Sequence, residues 1–475
     1  MRKKSQILDI IEWILIVGAA FLVARLLDLS LIIPIVLLAF FSFLTFYFKK
    51  NKLISLHLGL LLVIVIVAAK AIVDYSTISY YYIPLAAICM LTVILFEDLV
   101  LGFAIAAITS MIAGNIGGNS LSLSLIFFVG SIIGMLSVWR ARRRSQIILA
   151  GLYVGIVQLF CFLLISTQQH PFSIDAIRII AGPVIISGVF ASFIVIGTLP
   201  MFEYLFKVVT NISLLELSDF NHPLLRKMIL EAPGTYQHSL IVGNLAEAAT
   251  EAIGANSLLA RVGAYYHDIG KIEKAEYFSE NQIHLRSKHD KLQPNMSRLI
   301  IINHIKEGEE LAKKYKLNPM IIDFVTQHHG TSMMYYFYRR AMKDIEEDQE
   351  VKEEGFRYPG PKPQRKEIAI VLLSDAVEAA SRTLSEPTPE RIEELVRKII
   401  NNKFIDGQLD ECDLTLRDLE IIGSVFLRIL SAIYHSRVKY PDEKDEADNI
   451  QSSKKNSHSE RSNNTESKTD SSSAE

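Results

Sequence analysis

The stretch Ala264-Tyr265-Tyr266-His267-Asp268-Ile269-Gly270-Lys271 sets an imidazole beside a carboxylate at the expected end of a helix. Gly270 is expected to end that helix in the left-handed conformation, and Lys271 follows it. A lone His-Asp pair could equally face solvent or cap a helix. Its companions give it weight. His238 lies upstream in Thr235-Tyr236-Gln237-His238-Ser239. Downstream come His304 in Ile302-Asn303-His304, His328-His329 before Gly330, and Asp375 in Leu373-Ser374-Asp375. Each of these potential ligands falls within or beside an apolar-periodic stretch. Imidazoles mixed with carboxylates suit a first-row divalent ion such as iron, manganese, zinc or cobalt better than calcium or magnesium, which favour all-oxygen shells. Asp268, with two oxygens, could bridge two ions. His328 and His329 would point about 100° apart on a helix, so both reach one ion only at a helix end, which Gly330 allows. His304 stands among Ile301, Ile302 and Ile305, which leaves a core-histidine reading open.

The elements that must hold these residues read as helices. Apolar residues recur at helical spacing over 236–254, 257–268, 295–315, 319–329, 366–383, 388–401 and 414–436, and few alternating β-branched runs occur. The fold class expected is all-α: a polytopic helical membrane bundle followed by an all-helical soluble domain. The chain has 475 residues, too many for one ordinary domain, and half of them are hydrophobic. Its mean hydropathy of +0.28 is concentrated before residue 206. There, runs of membrane-spanning length lie at about 10–27, 31–48, 54–73, 78–97, 99–115, 121–139, 147–166 and 176–206. A net charge of −2 argues against nucleic-acid binding driven by overall basicity. Cys89, Cys161 and Cys412 suggest neither a disulfide framework nor a cysteine zinc site.

Orientation follows from the short loops. Lys49, Lys50 and Lys52 follow the second run, and Arg140, Arg142, Arg143 and Arg144 follow the sixth, whereas residues 74–77 and 114–120 carry no Lys or Arg. With eight runs, both termini and the soluble domain are expected in the cytoplasm. Arg25, Lys70, Glu97, Asp98 and Glu203 lie near span ends and read as structural anchors, and His57 and His170 as interfacial. Pro34, Pro84, Pro183 and Pro200 are expected to shape their spans. Residues 202–220 read as a helical continuation out of the last run, ending at a turn that contains His222 and Pro223. The boundaries expected are a membrane domain over 1–206 with no large extracellular domain, a linker helix over 207–232, the soluble domain over 233–440, and a Ser/Asn/Lys/Glu tail over 441–475 too polar to fold. A basic, proline-rich loop, Phe356-Arg357-Tyr358-Pro359-Gly360-Pro361-Lys362-Pro363, interrupts the soluble helices.

The order His … His-Asp … His … His-His … Asp resembles the HD phosphohydrolase superfamily. The context is similar to its branch of membrane HD proteins with seven transmembrane helices that hydrolyse cyclic-di-AMP. The resemblance is carried by Asn221-His222-Pro223-Leu224-Leu225-Arg226, residues 231–238, 265–271 and 328–331, and the proline-rich loop, and it covers roughly residues 31–440. It implies that His238, His267, Asp268 and Asp375 hold one metal. It implies that His304, His328 and His329, with a bridging Asp268, hold a second. It further implies a phosphodiesterase that opens a cyclic dinucleotide, cyclic-di-AMP, to linear pApA through a hydroxide activated by two divalent ions, manganese or iron. The expected partners are that nucleotide and the lipid bilayer, and no nucleic acid polymer. Lys271 would stabilise developing charge, though a solvated surface lysine fits as well. Arg357 and Lys362 would contact substrate, or their loop would merely pack. Family members carry a large extracytoplasmic domain after the first span, where this sequence has only Asp28-Leu29-Ser30 between two runs, and Gln237 replaces a frequent histidine. A membrane nucleotide sensor with a non-hydrolytic HD domain, or a hydrolase of cyclic-di-GMP or guanosine tetraphosphate, remains the alternative.

Overall fold

The computed structural model describes residues 79–169, 174–282, 288–343 and 352–434, with scattered positions between 59 and 74. The expected runs at 10–27 and 31–48, most of that at 54–73, the residues Arg25, Pro34, Lys49, Lys50, Lys52, His57 and His170, and the tail 441–475 lie outside the described residues.

The apolar half forms α1 (Ala86–Phe96), α2 (Leu99–Ile116), α3 (Leu121–Val138), α4 (Arg144–Gln169) and α5 (Ile174–Phe206). A helix keeps every backbone polar group bonded within itself, as hydrocarbon requires. The last four are long and apolar enough to cross a membrane. α1 is not, because the expected run at 78–97 is broken. Tyr80–Tyr82 form a 3₁₀ turn, Ile83 is extended before Pro84, and only 11 residues of helix remain. Every residue from Ala86 to Leu95 is buried, so α1 serves as the core of the bundle. Glu97 ends α1 in the left-handed region, and Asp98 caps α2 by accepting from the Leu101 amide at 3.0 Å.

The expected continuous helix over 202–220 is two elements. Lys207 has φ 52°, and the chain restarts as α6 (Asn211–Leu217) and then α7 (Pro223–Glu231), so 207–232 is not one linker helix. The cause is Glu203. It is buried, and one carboxylate oxygen accepts from the Thr210 amide at 3.0 Å and from its hydroxyl at 2.5 Å, while the other accepts from the Ser213 hydroxyl at 2.8 Å. α6 joins two cores, since Ile212 packs into the membrane cluster and Leu214 into the next domain.

That domain is α8 (Pro233–Ala252), α9 (Ser257–Tyr266), α10 (Pro294–Lys314), α11 (Pro319–Gln327), α12 (Tyr335–Lys343), α13 (Lys366–Ser381), α14 (Pro389–Ile405) and α15 (Leu416–Ile433). Proline in the first turn opens α8, α10, α11 and α14, where its missing N–H costs nothing. Thr415 and Asp418 close a capping box on α15. α13 is the hub, packed on α8, α9, α11, α14 and α15. It is buried without interruption from Ile368 to Asp375, and each such Ile, Val or Leu contributes about 1.5–3 kcal/mol by leaving water. Among the described residues the one extended pairing is an isolated bridge between Met333 and Arg357. The fold is all-α.

Candidate metal centre

α9 ends at Tyr266, and His267 and Asp268 lead directly into a 3₁₀ segment, Ile269–Tyr277. Gly270 does not adopt the expected left-handed conformation. What it supplies is room: a Cβ there would lie 1.8 Å from the His304 carbonyl oxygen and 2.5 Å from the Gly308 amide nitrogen. The turn therefore rests directly on α10, and Asp268 meets His304. α11 ends at Gln327, and Gly330, at φ +54°, turns the chain so that His328 and His329 present their rings to the same region, centroids 4.0 Å apart.

Three imidazoles are fixed alike. His267 Nδ1 donates to the Ala264 carbonyl at 2.7 Å, His328 Nδ1 to that of Val325 at 2.9 Å, and His304 Nδ1 to that of Ile301. A ring that donates through Nδ1 presents a lone pair at Nε2. Those lone pairs converge. His304 Nε2 and His328 Nε2 stand 3.3 Å apart, and 3.6 and 3.5 Å from Asp268 Oδ1. On the other side, His267 Nε2 and His238 Nε2 lie 3.1 and 3.6 Å from Asp268 Oδ2. His267 Nε2 and both Asp268 oxygens are buried without a directed hydrogen bond. Facing lone pairs in a buried place repel until a cation enters, so the donor set fits divalent metal.

The donor atoms form two groups, each within 4.8 Å: Asp268, His304, His328 and His329, and His238, His267, Asp268 and Asp375. Asp268 belongs to both. The structure thus brings together every candidate ligand singled out above. His329 Nδ1 stands 3.5 Å from Asp375 Oδ2, and its ring stacks on Tyr358 at 4.2 Å.

Residues not anticipated from the sequence hold this set in place. Glu378, 2% exposed, accepts from His238 Nδ1 at 2.5 Å and pairs through its other oxygen with Arg382. His238 Nε2 faces Asp375 Oδ1 at 3.0 Å. Burial opposes charge on this ring, but the hydrogen bonds to Asp375 and Glu378 outweigh it and push His238 up to about 10. Burial would raise the Asp375 carboxyl, yet the hydrogen bond from His238 and the nearby imidazoles hold it below the usual range. Burial pushes His304 down to about 3. Lys271 is not a surface lysine: its Nζ lies 2.7 Å from Asp268 Oδ2 and 2.8 Å from Glu280 Oε1. Those two carboxylates overcome burial and raise its affinity for its proton.

The expected substrate contacts, Arg357 and Lys362, each lie in ion pairs. Arg357 pairs with Asp406 at 2.9 Å and Glu353 at 2.6 Å, and Lys362 with Asp410 at 3.4 Å. Directly after the proline-rich loop, the Gln364 amide donates to Gln327 Oε1 at 3.0 Å. His222 precedes α7 without a side-chain cap and lies against Tyr266, apart from the cluster.

Residues 21–210 match the family of the 7TM receptor with intracellular HD hydrolase, and residues 235–380 match the HD domain. The chain is 41% identical over 424 residues to the cyclic-di-AMP phosphodiesterase PgpH of Bacillus subtilis (strain 168), an alignment covering 85% of this chain and 59% of that protein. It is 39% identical over 393 residues to the PgpH of Listeria monocytogenes serotype 1/2a, covering 82% and 54%. The chain therefore spans less than two thirds of the length of these relatives. Among solved structures it is similar to the PgpH HD domain of L. monocytogenes in complex with cyclic-di-AMP, at 50% identity and a TM-score of 0.43, over 46% of this chain and 100% of that one.

Proposed function

The chain belongs to the family of seven-transmembrane receptors with an intracellular HD hydrolase, and from that premise we propose that it is a membrane-anchored, metal-dependent phosphodiesterase opening cyclic-di-AMP to linear pApA. The observation that carries this reading is Asp268, a buried carboxylate whose two oxygens each face two imidazole nitrogens. We assign one ion to His238, His267, Asp268 and Asp375, and a second to Asp268, His304, His328 and His329, with manganese or iron suited to such mixed shells. Divalent ions there would supply an activated water and neutralise charge on the phosphoryl oxygens.

The chain's own residues do the rest. Lys271 clamps Asp268 Oδ2 and fixes the shared carboxylate, which makes it a positioning residue. Glu378 fixes the His238 ring, as outer carboxylates do for ligating imidazoles. Burial of the cluster keeps its fields strong. Water adds its oxygen to phosphorus, the bond from phosphorus to the 3′ oxygen breaks, and that oxygen leaves with a proton. Adenine rests on the names of the Bacillus and Listeria relatives.

For the whole chain, the reading takes residues 1–206 as the membrane domain, 207–232 as its connection, 233–440 as the hydrolase and 441–475 as a tail. It places the hydrolase in the cytoplasm. The basic loop at 140–144 supports that side, since Arg144 pairs with Glu216 of α6 at 2.7 Å, at the hydrolase end of the bundle.

The test is to supply the detergent-purified chain and Mn²⁺ with cyclic-di-AMP, cyclic-di-GMP and guanosine tetraphosphate, and to separate the products. Conversion of cyclic-di-AMP to pApA, stopped by a chelator, is expected. Preference for another of the three would overturn the base assignment. Tight binding without ring opening would replace the enzyme with a sensor.

A further inference from the structure

The cations around the cluster differ in how their charge is matched. Lys271, Arg357 and Lys362 each lie in an ion pair with one or two carboxylates. Lys403, in the last turn of α14, does not. Its Nζ donates to the Ser332 hydroxyl at 2.7 Å, and among the described residues no carboxylate pairs with it directly. Asp406, the nearest acid in sequence, is occupied by Arg357 and by the Gln408 amide.

Its position ties it to the metal centre. The Ser332 amide donates to the carbonyl of His329, and the Tyr358 amide donates to the carbonyl of Ser332. The Tyr358 ring in turn lies on His329. Lys403 therefore bonds the residue whose backbone joins His329 to Tyr358. Burial lowers its affinity for its proton, with Asp375 and Asp406 acting in the opposite direction and Arg357 reinforcing burial. A part-buried ammonium whose one direct partner is a neutral hydroxyl has room to gain from an anion brought against it. Lysine meets phosphate as a point charge.

Building on the phosphodiesterase reading, we propose that Lys403, held at the rim of the metal centre by Ser332, receives a phosphoryl oxygen of the bound nucleotide. Because it meets charge already present in the bound substrate, it contributes to binding more than to the chemical step.

The experiment titrates the manganese-loaded full chain with cyclic-di-AMP and, separately, with pyrophosphate, and follows turnover of cyclic-di-AMP. Lys403→Met should weaken binding of both probes and raise KM by about tenfold or more, the scale of a lost charge-assisted hydrogen bond, with kcat within about twofold. Metal content should be unchanged. Lys403→Arg should recover most of the affinity. Ser332→Ala removes the tether and keeps the charge, so it should weaken binding by a smaller factor than Lys403→Met, whereas a purely structural Lys403–Ser332 strut would make the two truncations behave alike. Should Lys403→Met fold poorly, Lys403→Gln gives the same decision. Unchanged affinity for both probes in a folded, metal-loaded variant overturns the proposal, as does a fall in kcat at constant KM. If cyclic-di-AMP neither binds nor reacts in wild type, the functional reading fails, and pyrophosphate still decides the role of Lys403.

Discussion

Asp268 faces four imidazole nitrogens with two oxygens, and Lys271 matches only one of them. Part of this imbalance is met by protons when metal is absent. His238, at about 10, is charged at neutral pH and shared between Asp375 and Glu378. Loading the first ion must expel that proton, so metal uptake near pH 7 should release protons, measurable by calorimetry in buffers of different ionisation enthalpy. Uptake without proton release would contradict this. The sign for stability follows from the same shift. The folded value lies above the ordinary one of about 6.5, so in the chelated chain this contribution is fully present below about 6.5 and is lost as pH rises through about 10. Glu378→Gln should flatten the decline in melting temperature across that window. The members of the cluster were legible in the sequence because histidines beside aspartates in apolar stretches are scarce. Glu378 was not, because one glutamate on a charged chain looks like another. The available signal was its position three residues after Asp375, on the same face of one helix. For Arg357 and Lys362 the charge was visible in the sequence, whereas pairing with Asp406 and Asp410, about 50 positions away, was not.

The helices of the HD domain were legible for a different reason. Periodic burial against one core writes itself into spacing, so α8 to α11 and α13 to α15 fall close to the expected segments. α12 escaped notice because a nine-residue helix with no buried residue carries little such pattern. The break at Lys207 escaped because Glu203 reads as a span-end anchor, whereas it is buried and bonds Thr210 and Ser213 across the break. Gly270 shows how a correct residue can be read for the wrong reason: the glycine is needed for close approach, not for a left-handed turn. Gly270→Ala must push the turn away from α10, because the added methyl would meet the main chain at His304. The expected result is loss of most bound metal and a fall in stability of roughly 1–3 kcal/mol from overpacking, read by elemental analysis and denaturant titration. A variant with wild-type metal content would show that the turn and α10 are not rigidly set against each other.

Across the whole molecule, the apolar bundle and the HD domain meet through α6, with Asn318 Nδ2 donating to the Val208 carbonyl at 2.7 Å and the Tyr266 hydroxyl to that of Leu217 at 2.8 Å. Tyr266 immediately precedes His267, so the connection from the bundle reaches the metal centre within one residue. The orientation has its own test. A reporter inserted after Arg144 should read cytoplasmic and one within residues 114–120 external, and the reverse would place the HD domain outside. The central claim is that this centre breaks a phosphodiester and does not only hold a nucleotide. His328→Ala removes one imidazole and leaves the helices intact. Its effect is measured by turnover of cyclic-di-AMP and by equilibrium binding on the same manganese-loaded preparation, beside wild type. The account predicts that wild type produces pApA, while the variant loses several kcal/mol of barrier lowering, about tenfold in rate for each ~1.4 kcal/mol, and keeps measurable binding. A wild-type chain that binds cyclic-di-AMP tightly and leaves the ring closed with Mn²⁺ or Fe²⁺ present would contradict it.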